Sequence, residues 1–395
     1  MGMLPIAELR HEVSALLKGY PGFVYRGSAE PKPGEVPVFV FHTVAPAELG
    51  AQLEYLAENG YRTLSLDEFL DTQAGRRPPG PREVLLTFDD ARSSFWLYAF
   101  PVLKRHQAKA TLFAITGWTP DHPARPNLED AWAGRTTNEA LADLDPDDRG
   151  VCSWDELRQM HASGLVCVDS HSHLHRRVFT GRELRGVIRP DADFSPSNAA
   201  HSPYLSLEHS PLELSLEDYI GRPLLDARGF MEDGPATRIR DAAAREFQQR
   251  VRGSEPLPSG QARAKALARL QAWLPPDSFI SVSAEQLERE MRDDLGRARD
   301  CLRSGLGDPH AGKTLCLPFT LGGTAVVRAA RNIGLQGIFW GVLPPRRTNR
   351  PGLDPMEFVR IKNDFLWLLP GAGRRSLAGT YLLKARRRLA GERPY

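Results

Sequence analysis

From Val36 onward the chain alternates short apolar runs with longer stretches whose apolar residues recur every three or four positions. VPVFVFHTV (36–44) is rich in β-branched and aromatic residues and flanked by Pro37 and Pro46, the signature of a buried strand. PAELGAQLEYLAENG (46–60) sets Leu49, Leu53 and Leu56 on one face and ends at Gly60, which predicts a helix and its stop. The rhythm repeats with EVLLTFDD (83–90) as strand, SFWLYAFPVLKRHQ as helix, KATLFAITG (109–117) as strand and SWDELRQMHASG (153–164) as helix. Ser153 and Glu156 form a capping box at the start of that last helix, which leads into the strand LVCVDSHS. Farther on come LEREMRDDLGRARDCLRSGLG (helix), KTLCLPFTLGG (strand and turn), TAVVRAARNIG (helix), LQGIFWGV (strand) and MEFVRIKND (strand). Apolar rather than alternating strands, spaced by helices, predict a parallel sheet covered by helices. Six or seven such units favour a barrel over an open sheet, a choice that periodicity alone leaves open.

One region breaks the rhythm. Residues 181–283 are rich in Pro, Asp, Ser and Arg and carry helical patterns at 243–252 and 261–274 without a strand rhythm. They read as an insertion into the loop that follows DSHSHLH. Loops at the carboxyl ends of parallel strands carry function in such folds, so the insertion is placed to cover a site, with a plain surface excursion as the equal alternative. The expected organisation is an N-terminal helical segment (1–35), a barrel (36–180 and 284–370), the insertion and a basic tail (371–395).

The 395 residues, 41% hydrophobic and 25% charged, fit a soluble globular protein. A formal charge of +2 gives no general attraction for nucleic acid. No apolar run is long enough to cross a bilayer, and the N-terminus lacks the pattern of a secretory signal. Cys152, Cys167, Cys301 and Cys316 are far apart without a CxxC pair, and two fall in apolar strands, so reduced thiols are expected. These features together predict a cytoplasmic protein. The tail holds Arg374, Arg375, Lys384, Arg386, Arg387, Arg388 and Arg393 against Glu392. It could meet an anionic substrate or a membrane face, but a solvated helix is the preferred reading.

Chemistry gathers where strands end. His42 follows the first strand, Asp89 and Asp90 the second, and His171 and His175 the run LVCV. Two histidines four apart in helix-like backbone project the same way. With a carboxylate from another strand end they offer two nitrogens and one oxygen on one side of a metal, leaving positions open for water and substrate. Adjacent carboxylates at a strand end point apart, so one can bind metal while the other faces substrate. Alone, a DD pair reads as a turn and HxxxH is a weak signal; at two strand ends they reinforce each other. His173 would point elsewhere, in a structural role.

LLTFDDARSSFWLYAFPVLKRHQAKATLFAI and HSHLH resemble the first motif and the second motif (His-Ser/Thr-x-x-His) of the polysaccharide deacetylases, carbohydrate esterase family 4 or NodB homology domain. PVFVFHTVAPAELGAQLEYLAENGYRTLSLDEF resembles the N-terminal segment of a large subset of that family. The resemblance spans 36–180 and 284–364 and implies an α/β fold, a distorted (β/α)7-type barrel with a large insertion. It implies that Asp90, His171 and His175 bind a divalent metal, usually Zn2+, and that Asp89 is the general base. The third motif is altered: Cys316-Leu317-Pro318-Phe319 stands where an Arg-x-Pro-aromatic sequence is usual. Phe319 keeps the turn that would offer its N–H to an oxyanion, and Arg360 is the candidate replacement for the missing arginine. The family's late Leu-His motif is not recognisable, and no histidine follows His310. The resemblance to the subset with a histidine at its first strand end implies His42 as the general acid, with His201 and His209 of the insertion as outside candidates.

The activity this implies is hydrolysis of the N-acetyl group of an N-acetylated sugar in a glycan or glycoconjugate. The alternatives are a metal-dependent amidohydrolase acting on a small metabolite or cell-wall amide, and a catalytically silent carbohydrate-binding homologue. Nucleic-acid binding through the basic tail lacks any supporting aromatic or groove motif.

Overall fold

The computed structural model describes residues 19–145, 150–175 and 283–389, with four two-residue strands between the last two segments. The expected helices at 1–35, 243–252 and 261–274, and His201 and His209, lie outside the described residues, apart from the stretch 19–35. The elements run β1 (Val38–Phe41), α1 (Pro46–Glu58), β2 (Arg62–Thr63), α2 (Leu66–Gln73) and β3 (Glu83–Phe88). A π-helical turn at Phe95–Ala99 then enters α3 (Phe100–His106), followed by β4 (Ala110–Ala114), α4 (Trp154–Ala162) and β5 (Val166–Ser170). Next come β6 (Arg177–Val178), β7 (Arg222–Pro223), β8 (Phe230–Met231), β9 (Ile280–Ser281) and α5 (Ala284–Leu306). The chain continues through β10 (Thr314–Cys316), α6 (Thr324–Asn332), β11 (Gly337–Phe339), β12 (Ile361–Lys362) and α7 (Leu377–Leu389).

Eight of these strands form one sheet in the order β11-β10-β5-β4-β3-β1-β12, with β2 beside β3, and every pairing is parallel. All residues of β1, β3 and β4 are buried, as strands covered on both faces require. The sheet curls until its ends meet. Phe358 N–H donates to Ile338 O (2.9 Å), Trp340 N–H donates to Phe358 O (2.8 Å), and Ile361 pairs with Phe39 of β1. One short segment, 358–362, therefore bonds β11 with its beginning and β1 with its end. This is the distorted (β/α)7-type barrel, joined at its seam by a single bridge between Phe339 and Phe358.

The chain divides into two compact units, Met1–His173 with Gly296–Thr320 and Gly334–Tyr395, and Leu174–Leu295 with Leu321–Ile333. The first holds the sheet and its core. In the second, β6 pairs antiparallel with β7 and β8 with β9. Leu287, Met291 and Leu295 are buried at four-residue spacing along α5.

Local chemistry explains the helix starts. Ser153 and Glu156 form the expected capping box of α4, and Glu156 is fully buried because Arg125 clamps it through Nε (2.7 Å) and Nη2 (2.8 Å). Ser65 and Glu68 do the same for α2. Two expectations need correction. The helix predicted at SFWLYAFPVLKRHQ opens as a π-turn, because Pro101 has no N–H to give and the Phe100 N–H bonds Phe95 O. MEFVRIKND is not one strand: Asp354 caps a 3-10 turn at Pro355–Glu357, and only Ile361–Lys362 remain as strand. All four cysteines are free thiols, and no described helix is long and apolar enough to cross a membrane.

Candidate active site and metal seat

The strand β3 ends in a sharp turn. Asp89 N–H still donates to Phe41 O of β1 (3.0 Å), but Asp90 and Ala91 take left-handed φ of 68° and 50°. That break sends the two neighbouring carboxylates to different partners. Asp89, 2% exposed, meets Arg360, whose Nη1 donates to Oδ1 (2.6 Å) and Nη2 to Oδ2 (3.0 Å). Cys316 Sγ lies 3.4 Å from the same Oδ1, and His42 Nε2 lies 3.8 Å from Oδ2. Burial opposes charge on Asp89, yet Arg360, with His171 and His42, outweighs it and holds the carboxyl below its ordinary range. Asp89 is therefore an ionised carboxylate at neutral pH.

Arg360 is itself wholly buried and positioned on three sides. Its Nε donates to Trp340 O (3.1 Å), Nη1 reaches Thr87 Oγ1 (3.4 Å), and the guanidinium lies 5.9 Å from the Phe113 ring centre. Burial works against its charge, but Asp89 more than restores it and its pKa is raised. His42, at the end of β1, keeps a third of its side chain exposed, so it stands at the rim rather than in the core.

Asp90 faces the other way. Arg92 donates to its Oδ2 through Nε (3.2 Å) and Nη2 (3.1 Å), while Oδ1 lies 3.3 Å from His171 Nε2. His171 Nδ1 is 2.9 Å from Cys316 O, a carbonyl that can only accept, so Nδ1 carries a proton and Nε2 is the atom turned to Asp90. Asp90, His171 and His175 form a buried group whose ligating atoms all lie within 4.8 Å of one another. Two imidazole nitrogens and one carboxylate oxygen are a donor set suited to zinc or a similar divalent ion. Burial disfavours charge on His171, but the anionic surroundings overcome it and its pKa is raised well above normal. An environment that pulls a proton onto a buried imidazole also favours a cation beside it, so the residues fit a metal. Asp89, His171 and Cys316 are equally close. That group is the poorer seat, because Asp89 is committed to Arg360 and burial raises the Cys316 thiol pKa.

The histidines reach their places differently from expectation. The segment after β5 is not helical: Ser172 and His175 adopt left-handed φ of 70° and 51°. Spacing brings His171 and His175 together through a folded loop rather than a helical turn. His173 points away, with Nδ1 2.9 Å from Thr116 Oγ1. Phe319 sits in a 3-10 turn with φ 56° just past β10.

Four participants escaped the sequence reading. Arg92 and the Cys316 thiol lie within quoted motifs, but nothing in their type announces a contact with Asp90 or Asp89. Asp169 and Thr314 are joined across strands 145 residues apart in sequence. Burial pushes Asp169 up to about 7 against the hydrogen bonds it receives from Thr314 and Ser170. A buried acid in the run LVCVDSHS was the one available signal, since an acid among strand apolar residues needs partners.

Comparison with known proteins bears on these residues. Residues 76–193 match the family model described as polysaccharide deacetylase. A poly-beta-1,6-N-acetyl-D-glucosamine N-deacetylase of Escherichia coli (strain K12) is 29% identical over 132 residues, 33% of this chain and 18% of that protein. The enzyme of the same name from Staphylococcus aureus (strain MSSA476) is 27% identical over 132 residues, 33% of this chain and 38% of that protein. The chain thus spans well under half the length of these curated relatives. Among solved structures, the deacetylase domain of BpsB from Bordetella bronchiseptica overlaps with a TM-score of 0.49 at 18% identity, covering 85% of this chain and 99% of that one. IcaB from Ammonifex degensii gives 0.48 at 19% identity, covering 86% and 96%. The matched segment holds β3 with Asp89 and Asp90 and the loop with His171 and His175, and over it this chain is similar to the polysaccharide deacetylases.

Proposed function

We propose that the protein is a metal-dependent hydrolase that removes the N-acetyl group from an N-acetylated sugar in a glycan or glycoconjugate. The observation that carries this is the placement of one buried, ionised carboxylate, Asp89, between a buried arginine and a rim histidine, beside a two-imidazole, one-carboxylate seat. Asp90, His171 and His175 would hold the metal. When bound, it supplies Lewis-acid polarisation of an amide carbonyl and activation of water.

The chain's own groups divide the rest of the work. Asp89 Oδ1 takes both Arg360 Nη1 and the Cys316 thiol, whereas Oδ2, the oxygen nearer His42, takes Arg360 Nη2 alone and keeps a lone pair for the proton of the attacking water. Arg360 keeps that carboxylate ionised and fixes its plane. The Phe319 N–H, in the turn after β10, is assigned to the developing oxyanion. The departing amine needs a proton, and His42 is positioned to give it: half-buried, at the rim, and close enough to Asp89 for the base's proton to be passed on. The relatives named as poly-beta-1,6-N-acetyl-D-glucosamine N-deacetylases favour a polymer of N-acetylglucosamine as the substrate class.

The test is release of acetate from a panel of N-acetylglucosamine oligomers, nucleotide sugars and lipid-linked sugars, with metal content measured on the same samples. Acetate from the oligomers, and loss of both metal and turnover in His175→Ala, are expected. Stoichiometric metal with no acetate from any sugar would move the activity to another amide. No metal and no acetate would leave a silent carbohydrate-binding homologue.

A further inference from the structure

We infer that Asp169 is a positioning residue that seats the His171 imidazole, acting through Thr314 and strand β10. The seam it occupies is thin. β4 and β5 share five register pairs, whereas β5 and β10 share one, Leu315 with Ser170. At that seam Asp169 is 1% exposed, and its Oδ2 accepts both the N–H (3.0 Å) and the hydroxyl (2.8 Å) of Thr314. Its Oδ1 accepts the Ser170 N–H (2.9 Å). One carboxylate thus ties the last turn of β5 to the first residue of β10 where backbone pairing is sparse.

The consequence lies two residues along each strand. Cys316, two past Thr314, presents the carbonyl that accepts the His171 Nδ1 proton at 2.9 Å, and His171 is two past Asp169. The register that Asp169 and Thr314 impose is the register in which carbonyl and imidazole meet. That meeting fixes the tautomer and turns Nε2 toward Asp90 Oδ1, 3.3 Å away. Groups that orient a ligating histidine without touching the metal commonly change metal affinity about 10–100-fold when lost. The functional meaning of the clip rests on the metal-dependent reading above; its geometry does not.

The experiment compares the full-length wild type with Asp169→Asn, Thr314→Val and Thr314→Ser, using zinc alone as the ligand and no substrate. Zinc affinity is read by competition with a coloured chelator, the His171 tautomer by ring-nitrogen NMR, and folding by urea denaturation. Asp169→Asn must set its amide N–H2 against either the Thr314 donors or the Ser170 N–H, so about 10–100-fold weaker zinc binding and a mixed His171 tautomer are expected. Thr314→Ser should rescue both readouts, and Thr314→Val, which keeps the backbone bond, should fall between. A folded Asp169→Asn protein with wild-type zinc affinity and tautomer would overturn the assignment and leave Asp169 a brace of the sheet. If that variant does not fold, Thr314→Val decides, and unchanged values there overturn it equally. If wild-type protein binds no zinc, the metal-dependent function fails while the NMR tautomer still judges the clip.

Discussion

Replacing Arg360 with methionine tests the electrostatics of the site in one change. Methionine keeps much of the stem and volume but donates nothing. Asp89 would remain 2% exposed, stripped of two bonds of 2.6 and 3.0 Å, with a thiol at 3.4 Å and an imidazole at 3.8 Å. Removing one partner of a buried ion pair costs about 3–5 kcal/mol, because the orphaned charge stays buried. The pH dependence has a definite sign. In the wild type the Asp89 pKa is lowered, so its contribution is present above the unfolded carboxyl range and is lost as pH falls through the folded value. Without Arg360 the burial that opposes its charge is no longer outweighed, the pKa rises, and acid pH relieves the penalty instead. The stability deficit of Arg360→Met should therefore be larger at about pH 8 than at about pH 5. Urea denaturation of wild type, Arg360→Met, Asp89→Asn and the double variant measures this directly. Adding Asp89→Asn to Arg360→Met should recover much of the loss, since a neutral amide needs no cation. A double variant as unstable as the sum of the two singles, or a deficit equal at both pH values, would refute the coupling.

Changes at two other positions probe the neighbours of Asp89. His42→Ala should lower turnover by about 10²–10⁴-fold with zinc affinity retained, read by acetate release and chelator competition on one preparation; undiminished turnover removes His42 from proton transfer. Cys316→Ser should preserve activity, whereas Cys316→Arg forces a second guanidinium into space already filled by Arg360. Overpacking alone then costs about 1–3 kcal/mol in urea denaturation, and wild-type stability for Cys316→Arg would show that this space was misjudged.

The sheet was legible in the sequence because its cause is local. Strands buried on both faces must be largely apolar along their length, and VFVF, EVLLTF and ATLFA are, save for the β-branched Thr87 and Thr111 and for Glu83, which is paired with Arg62 and Arg77. Short strands late in the chain were harder. β12 is two residues long and owes its place to what its segment bonds on either side, which no window of sequence contains. The pairing of Arg360 with Asp89 was open to suspicion only because a usual arginine was missing at position 316. The Asp169–Thr314 and Asp90–Arg92 contacts depend on register and on the direction of one side chain, and periodicity carries neither.

The backbone at the site makes the same point in another way. Eight described residues other than glycine have positive φ, and six of them, Asp90, Ala91, Ser172, His175, Phe319 and Thr320, follow the carboxyl ends of β3, β5 and β10. A left-handed L-residue costs on the order of 1–2 kcal/mol, so six gathered at three strand ends are a concentration of strain that packing must sustain. Glycine would relieve it at each place, but at Asp90 and His175, two of the proposed ligands, it could hold no metal. At those two positions a side chain suited to the proposed chemistry stands in place of glycine, and the backbone bears the strain. That choice hides the turn from sequence reading, because Asp-Asp after TF looks like an ordinary strand end. It also explains why neighbours in sequence face different partners: Asp89 ends regular strand and meets Arg360, while Asp90, one left-handed step on, meets Arg92 and His171.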